Sequence, residues 1–270
     1  MRFGAPIFDK YENAEQWAEI HRKYGYNAAY CPIDSKDRLN LKDEYINVCE
    51  KYDILIAEVG AWNNPMSFDE ADRKKALENC QDKLYIADEM GAKCCVNIAG
   101  NLGEKWDGHS AKNLTKDGFD AVVETTRKII DAVNPKRTYY TLEMMPWMYP
   151  YDENTYIDLI KAIDRKHFAV HLDIVNTINS PQRYYSIPSI IKSCFAKLGG
   201  YIKSIHVKDI IMTQDMTTHL NEIMVGRGNF DYKCLIDEVK KLDKRIPLLL
   251  EHLSTKEEYL EAGDYLKKFF

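Results

Sequence analysis

Several things are scarce in this 270-residue chain, and each scarcity narrows the reading. No apolar stretch approaches the ~18 uninterrupted residues that a membrane-crossing helix needs, and the opening MRFGAPIFDK has no long apolar core of the kind that directs export. The expectation is a cytoplasmic protein with no membrane partner. Positive charge is not in excess: 37 Lys and Arg against 42 Asp and Glu leave a net charge of −5. Such a balance offers no general attraction for phosphate backbones, so no nucleic-acid partner is expected. The seven cysteines lack the regular spacing of a disulfide framework, and the adjacent Cys94 and Cys95 lie in an apolar run, as packed, reduced thiols would. Neither glycine-rich nucleotide fingerprint is present. No Pro/Gly/Ser-rich linker, low-complexity tract or short-period repeat divides the chain, so a single domain over residues 1–270 is expected.

What is present is alternation. Strand-type runs fall at Arg2–Phe8, Asn27–Ile33, Ile54–Trp62, Lys93–Gly100, Tyr139–Trp147, Phe168–Asn176, Ile202–Ile210 and Pro247–Leu253. Amphipathic helix patterns follow them at Ala14–Tyr24, Leu41–Lys51, Phe68–Met90, Gly118–Val133, Glu153–Ile163, Ile187–Leu198, Tyr232–Leu242 and Lys256–Phe269. SFDEAD and STKEEY read as helix starts headed by Ser or Thr, and Gly25, Gly91 and Gly199–Gly200 read as helix ends. Eight βα units in about 250 residues match a closed (β/α)8 TIM barrel in number and size, whereas open doubly wound sheets usually have fewer strands. Two loops are long for that architecture: NLGEKWDGHSAKNLTKD after the fourth strand and MTQDMTTHLNEIMVGRGNF after the seventh. Both follow strand C-termini, the end of such barrels that carries active sites.

Four of the apolar runs are interrupted by an ionisable residue: Glu143 in YTLEMMPW, Asp173 in FAVHLDIVN, His206 in IKSIHVKDI and Glu251 in IPLLLEHL. Burying an unpaired carboxylate costs several kcal/mol, so each must be paired, protonated, metal-bound or open to solvent. All four lie towards the C-terminal ends of consecutive strands five to eight and should converge at one mouth. Thr141, His171, Ser204, Lys208 and Leu249 share their inward faces, since side chains alternate along a strand. Three carboxylates at close range repel unless neutralised, which a divalent cation with the imidazole as a fourth ligand would achieve. An oxygen-rich set with one nitrogen and no thiolate favours one Mn2+ ion, with Mg2+, Co2+ and Zn2+ as alternatives. Glu58 is the one spare acidic candidate on the third and fourth strands, which supply no further His.

The series TLE, HLD, IHVKD, VGRG and LLLEH resembles the xylose-isomerase-like barrels of the sugar phosphate isomerase/epimerase family, a group that includes ketose 3-epimerases, hydroxypyruvate isomerase and inosose dehydratase. The resemblance implies that Glu143, Asp173, His206 and Glu251 hold the metal and that Glu143 and Glu251 are the catalytic acid/base pair. The chemistry implied is isomerisation or epimerisation of a keto-sugar or related polyol through a metal-stabilised enediolate. Elimination by a dehydratase or lyase is the alternative. In the ketose 3-epimerases a His follows the strand-six Asp by three residues and an Arg follows the strand-seven His. This chain has Asn176 at the first position and KDIIMTQD at the second, and its HVKD is closer to the dehydratase and lyase branches.

Further residues are candidates for touching substrate. Lys208 would bind a substrate oxygen or donate a proton, His171 lies a layer deeper, and Asn176 follows Asp173. Trp62, Trp106, Trp147 and His109 sit on loops at the mouth, where aromatic rings stack on sugars or simply anchor loops. Arg227 in VGRG is an anion-contact candidate, and Asp209 reads as a capping group. Two other classes remain: an abasic-site endonuclease, which needs more His ligands and a basic groove, and a non-catalytic sugar-binding subunit. Dimers or tetramers follow by analogy with other barrels.

Overall fold

The computed structural model describes residues 1–270. Its strands are β1 (Arg2–Gly4), β2 (Ala28–Tyr30), β3 (Leu55–Gly60), β4 (Cys94–Asn97), β5 (Tyr140–Leu142), β6 (Phe168–Leu172) and β7 (Ile202–Val207), then a hairpin of β8 (Asp209–Met212) and β9 (Leu220–Ile223), and finally β10 (Pro247–Leu250). The eight strands outside the hairpin form one sheet in the order β1-β10-β7-β6-β5-β4-β3-β2, every ladder parallel. With helices between successive strands, this is the expected (β/α)8 barrel, nearly closed. At the remaining seam the Asn27 N–H donates to the Phe3 carbonyl at 2.9 Å, and the Asn27 side-chain oxygen accepts from the Phe3 N–H at 2.8 Å. An amide side chain thus stands in for part of a ladder. The seam is tight enough that a Cβ on Gly4 would lie 2.0 Å from the Ala28 carbonyl oxygen, so only glycine serves there.

The helices are α1 (Ala14–Lys23), α2 (Lys42–Tyr52), α3 (Glu70–Met90), α4 (Lys116–Val133), α5 (Glu153–Ile163), α6 (Pro181–Tyr184), α7 (Ile187–Leu198), α8 (Tyr232–Val239) and α9 (Lys256–Lys267). Local signals explain their ends. A capping box of Thr255 with Glu258 starts α9, and Gly91, in the left-handed region at φ +66°, ends α3. The start of α3 differs from the Ser-headed reading: Asp69 accepts from the Asp72 N–H, while Ser67 accepts from the Asp69 N–H one step earlier. None of the helices is long and apolar enough to cross a membrane, and all seven cysteines are unpaired.

Two other expectations need correction. The strands are shorter than their apolar runs, because pairing stops as the chain splays into the mouth loops, leaving Glu143, Asp173 and Glu251 each one residue beyond a strand end. The long segment after β7 is not an open loop: it folds back as the antiparallel hairpin β8–β9, with Asp209 opposite Ile223. The main apolar layer lies between sheet and helices, whereas the barrel interior has only a small apolar plug of Ala28, Ala57 and Leu249. Above that plug the interior turns polar.

Candidate metal centre

The polar interior begins with Glu58 on β3, which is 1% exposed. Its carboxylate accepts from Ser204 Oγ at 2.9 Å, lies 3.1 Å from His206 Nε2 and stands 3.4 Å from His171 Nδ1. His206 therefore points its other ring nitrogen upward, where Nδ1 lies 3.1 Å from Glu143 Oε1 and 2.9 Å from Glu251 Oε1. Asp173 completes the group: one donor atom from each of Glu143, Asp173, His206 and Glu251 lies within 4.8 Å of all the others. The convergence expected of strands five to eight is present. Asn176, in the helical turn after β6, donates its backbone N–H to Asp173 Oδ1 at 3.1 Å and sends Nδ2 to Glu143 Oε1 at 3.4 Å.

Lys208 leaves β7 into the same space. Its ammonium is 2.6 Å from Glu251 Oε1, 2.9 Å from Asp173 Oδ2 and 3.6 Å from both Glu143 Oε1 and Glu222 Oε1. These are ion pairs by distance, yet Asp173 Oδ2 and Glu251 Oε1 are buried with no aligned hydrogen-bond donor. Four carboxylates, those of Glu251, Asp173, Glu143 and Glu222, face the Lys208 ammonium, so negative charge remains in excess for a divalent ion to offset. Two buried, unpartnered carboxylate oxygens beside an imidazole nitrogen held by a second carboxylate fit such an ion.

The site opens into a cavity of about 740 Å3 whose wall includes Trp62, Trp106, Trp147, Asn176, Lys208 and His252. Trp62 lies over His206, ring centroids 6.4 Å apart, and a Cβ on Gly60 would collide with its indole nitrogen at 2.2 Å. Glycine at 60 lets that ring fold across the strand end.

A model of the xylose isomerase-like TIM barrel family matches residues 18–269. The chain belongs to that family. No curated protein matches the chain. Solved structures resemble it in fold at low identity. The probable 3-DHS dehydratase AsbF from Bacillus anthracis shares 15% identity, with a TM-score of 0.72 over 99% of this chain and 98% of that one. The 3-keto-D-glucoside 4-epimerase YcjR from E. coli shares 14%, with a TM-score of 0.70 over 99% of each chain. A xylose isomerase-like barrel protein from Mycobacterium smegmatis, in complex with magnesium, shares 16%, with a TM-score of 0.66 over 96% of this chain and 89% of that one.

Within this member of the family the two glutamates sit in unequal fields. Burial pushes the Glu143 carboxyl up to about 7, the Glu251 charge adding to that push against the pull of Lys208. Burial acts on Glu251 in the same direction, but the His206 and Lys208 cations outweigh it and hold Glu251 well below the usual carboxylate range. Lys208 is likewise opposed by burial and kept charged by Asp173, Glu143 and Glu251. Burial, with His206 alongside, pushes His171 far down, so that ring is neutral.

Not every candidate reaches the cavity. His171 is fully buried beneath it, its ring edge-on to His206 at 4.0 Å between centroids, and both its nitrogens lack hydrogen-bond partners. His109 is exposed on the loop after β4 and lines no part of the cavity. Arg227 turns outward to Glu261 at 3.1 Å, because VGRG is clamped from below by Asp209, whose carboxylate accepts from the backbone of Gly226, Gly228 and Phe230. Asp209 thus braces a loop and caps no helix, since the cap of α8 is Asp231, which accepts from the Cys234 N–H at 2.9 Å. Sequence reasoning left Glu58 without a role and missed Glu222, which reaches the site from the unrecognised hairpin and pairs with His252 Nδ1 at 2.8 Å. Glu58 carried the same signal as the others, a lone carboxylate in the apolar run ILIAEVGAW.

Proposed function

We propose that the protein is a divalent-metal-dependent isomerase or epimerase of a keto-sugar or related polyol, working by proton removal next to a carbonyl to give an enediolate. The observation that carries this reading is the ring of Glu143, Asp173, His206 and Glu251 at the floor of a substrate-sized cavity, with two buried carboxylate oxygens lacking hydrogen-bond donors. Those four residues would hold the ion, His206 through Nδ1. Manganese is favoured for the oxygen-rich set, and one barrel of similar fold is in complex with magnesium. When bound, the ion supplies Lewis-acid polarisation of the carbonyl.

The chain's own groups then divide the proton work. Glu143 and Glu251, on either side of the site, act as the acid/base pair that takes and returns the proton. Asn176 orients Glu143 through its side-chain N–H at 3.4 Å. Lys208 binds a substrate oxygen, and Trp62 closes the cavity above His206 against water. The substrate is a small molecule, and neither nucleic acid nor a membrane is a partner.

A second reading, dehydration of a keto-sugar or keto-cyclitol, draws on Lys208. An ammonium 2.6 Å from Glu251 is placed to protonate a departing hydroxyl. The test is metal analysis of the purified protein, followed by incubation of the metal-loaded form with keto-hexoses in D2O. Deuterium entering carbon next to the carbonyl supports the common intermediate, and loss of water from the product selects the second reading. Protein that binds no divalent metal and exchanges no carbon-bound proton overturns both.

A further inference from the structure

Three of the four tryptophans stand at the barrel mouth with a third or more of their surface exposed, Trp62 at 41%, Trp106 at 42% and Trp147 at 36%, while Trp17 is buried. Two of the three are shared. Trp62 and Trp106 line the reaction cavity and also a second groove of about 500 Å3. They therefore form a partition of indole rings between two chambers. The groove's other wall is helix α3, which presents Asp72, Lys75, Ala76 and Asn79. These positions are spaced i, i+3, i+4 and i+7, one face of the helix, which runs from the exposed Asp72 and Lys75 to the buried Ala76. Here it carries two charges, an amide and a small residue. Asn79 spends its Nδ2 on the Ala61 carbonyl at 2.9 Å, which fixes the amide and leaves its oxygen for a ligand. Ser67 and Glu104 add a hydroxyl and a carboxylate at the rim.

Aromatic rings opposite short polar side chains suit the two surfaces of a pyranose, apolar C–H faces and an equatorial belt of hydroxyls. Two carboxylates against one ammonium disfavour a phosphate or other anion. Resting on the proposed keto-sugar chemistry, we propose that the groove holds a second, neutral sugar ring glycosidically joined to the unit at the metal centre. The substrate is then a glycoside of a keto-sugar rather than a free monosaccharide.

The test is calorimetric binding to manganese-loaded protein of D-fructose and of four disaccharides that contain it, turanose, leucrose, isomaltulose and lactulose. At least one disaccharide should bind tenfold or more tightly than fructose. In Asn79→Ala and Lys75→Ala, which touch the groove and not the reaction cavity, the disaccharide-to-fructose affinity ratio should fall to near one. Trp106→Ala should weaken disaccharide binding more than fructose binding. A panel in which no disaccharide exceeds fructose, or a ratio that survives in both α3 variants, overturns the proposal. Its failure is separable from that of the parent reading. Deuterium exchange into fructose with no disaccharide preference sinks only the groove, whereas tight disaccharide binding with no exchange sinks only the chemistry.

Discussion

The mouth of the barrel has two arcs that occupy equivalent places and satisfy their polar atoms in opposite ways. Beyond β3 and β4 the buried polar side chains are amides, and the one unpartnered carboxylate oxygen there, Asp107 Oδ1, has Lys105 Nζ at 3.0 Å. Asn97 accepts from the Asn63 N–H at 3.1 Å, Asn64 exchanges bonds with Asn101 at 2.8 Å, and Asn101 accepts from the Gly103 N–H and Asn113 Nδ2, each at 2.9 Å. Asn113 accepts from the Leu102 N–H at 2.9 Å and reaches the Trp147 carbonyl. No side-chain atom of the buried Asn97, Asn101 or Asn113 lacks a partner. Beyond β5, β6 and β10 the residues are acids, and there Asp173 Oδ2 and Glu251 Oε1 have none. A closed neutral network fixes loops, whereas an under-satisfied charged one has coordination capacity left over. Comparable burial therefore goes with satisfied polar atoms on one arc and with spare coordination capacity, which suits the proposed metal centre, on the other.

That contrast breaks most visibly at Glu251. Replacing it with glutamine removes one of the proposed acid/base carboxylates and a charged metal ligand while leaving the shape of the site, and loss of a positioned acid or base typically lowers rate by on the order of 10²- to 10⁴-fold. Glu251→Gln should reduce deuterium exchange into a keto-sugar by that factor, with far-ultraviolet circular dichroism unchanged. Exchange within a few-fold of the parent would mean that Glu251 is scaffold too.

On the amide arc the expected loss is stability. Asn101 ties the segment after β3 to the loop after β4, and truncating it strands the Gly103 N–H and Asn113 Nδ2 without an acceptor. Each stranded buried group costs about 1–3 kcal/mol. Asn101→Ala should therefore lower unfolding free energy by roughly 2–4 kcal/mol in urea titration, with metal affinity little altered. A large drop in metal affinity at constant stability would invert the assignment of the two arcs.

How far the sequence foretold this arrangement depends on whether a signal was local. Strand and helix count followed from periodicity, which adjacent residues carry, and the four converging groups stood out because each interrupts an apolar run. The amide web was invisible, since asparagine in a loop is ordinary and only the fold brings residues 64, 101 and 113 together. The hairpin β8–β9 was hidden because its exposed strand, Leu220–Ile223, is half polar. Arg227 points away from the cavity because its loop is clamped by Asp209, 17 to 21 positions away in the chain from the backbone groups it holds.

Glu58 is the smallest and sharpest test of the comparison, because it lies on β3, the strand that leads into the amide arc, yet its contacts belong to the charged one. Its partners, His171, Ser204 and His206, arrive from β6 and β7, which is why its own run of sequence could not assign it. A carboxylate on the far nitrogen of a ligand histidine fixes the tautomer and raises ligand basicity, and its loss typically costs 10- to 100-fold in metal affinity. Glutamine at 58 can still accept from His206 Nε2 and face Ser204 Oγ, so packing is kept while the charge is lost. Glu58→Gln should weaken Mn2+ binding by about that factor in calorimetric titration, with little change in urea midpoint. The opposite pattern, lost stability at full metal affinity, would assign Glu58 to the scaffold with the asparagines. The charged arc would then end at β5 rather than reach across the barrel to β3.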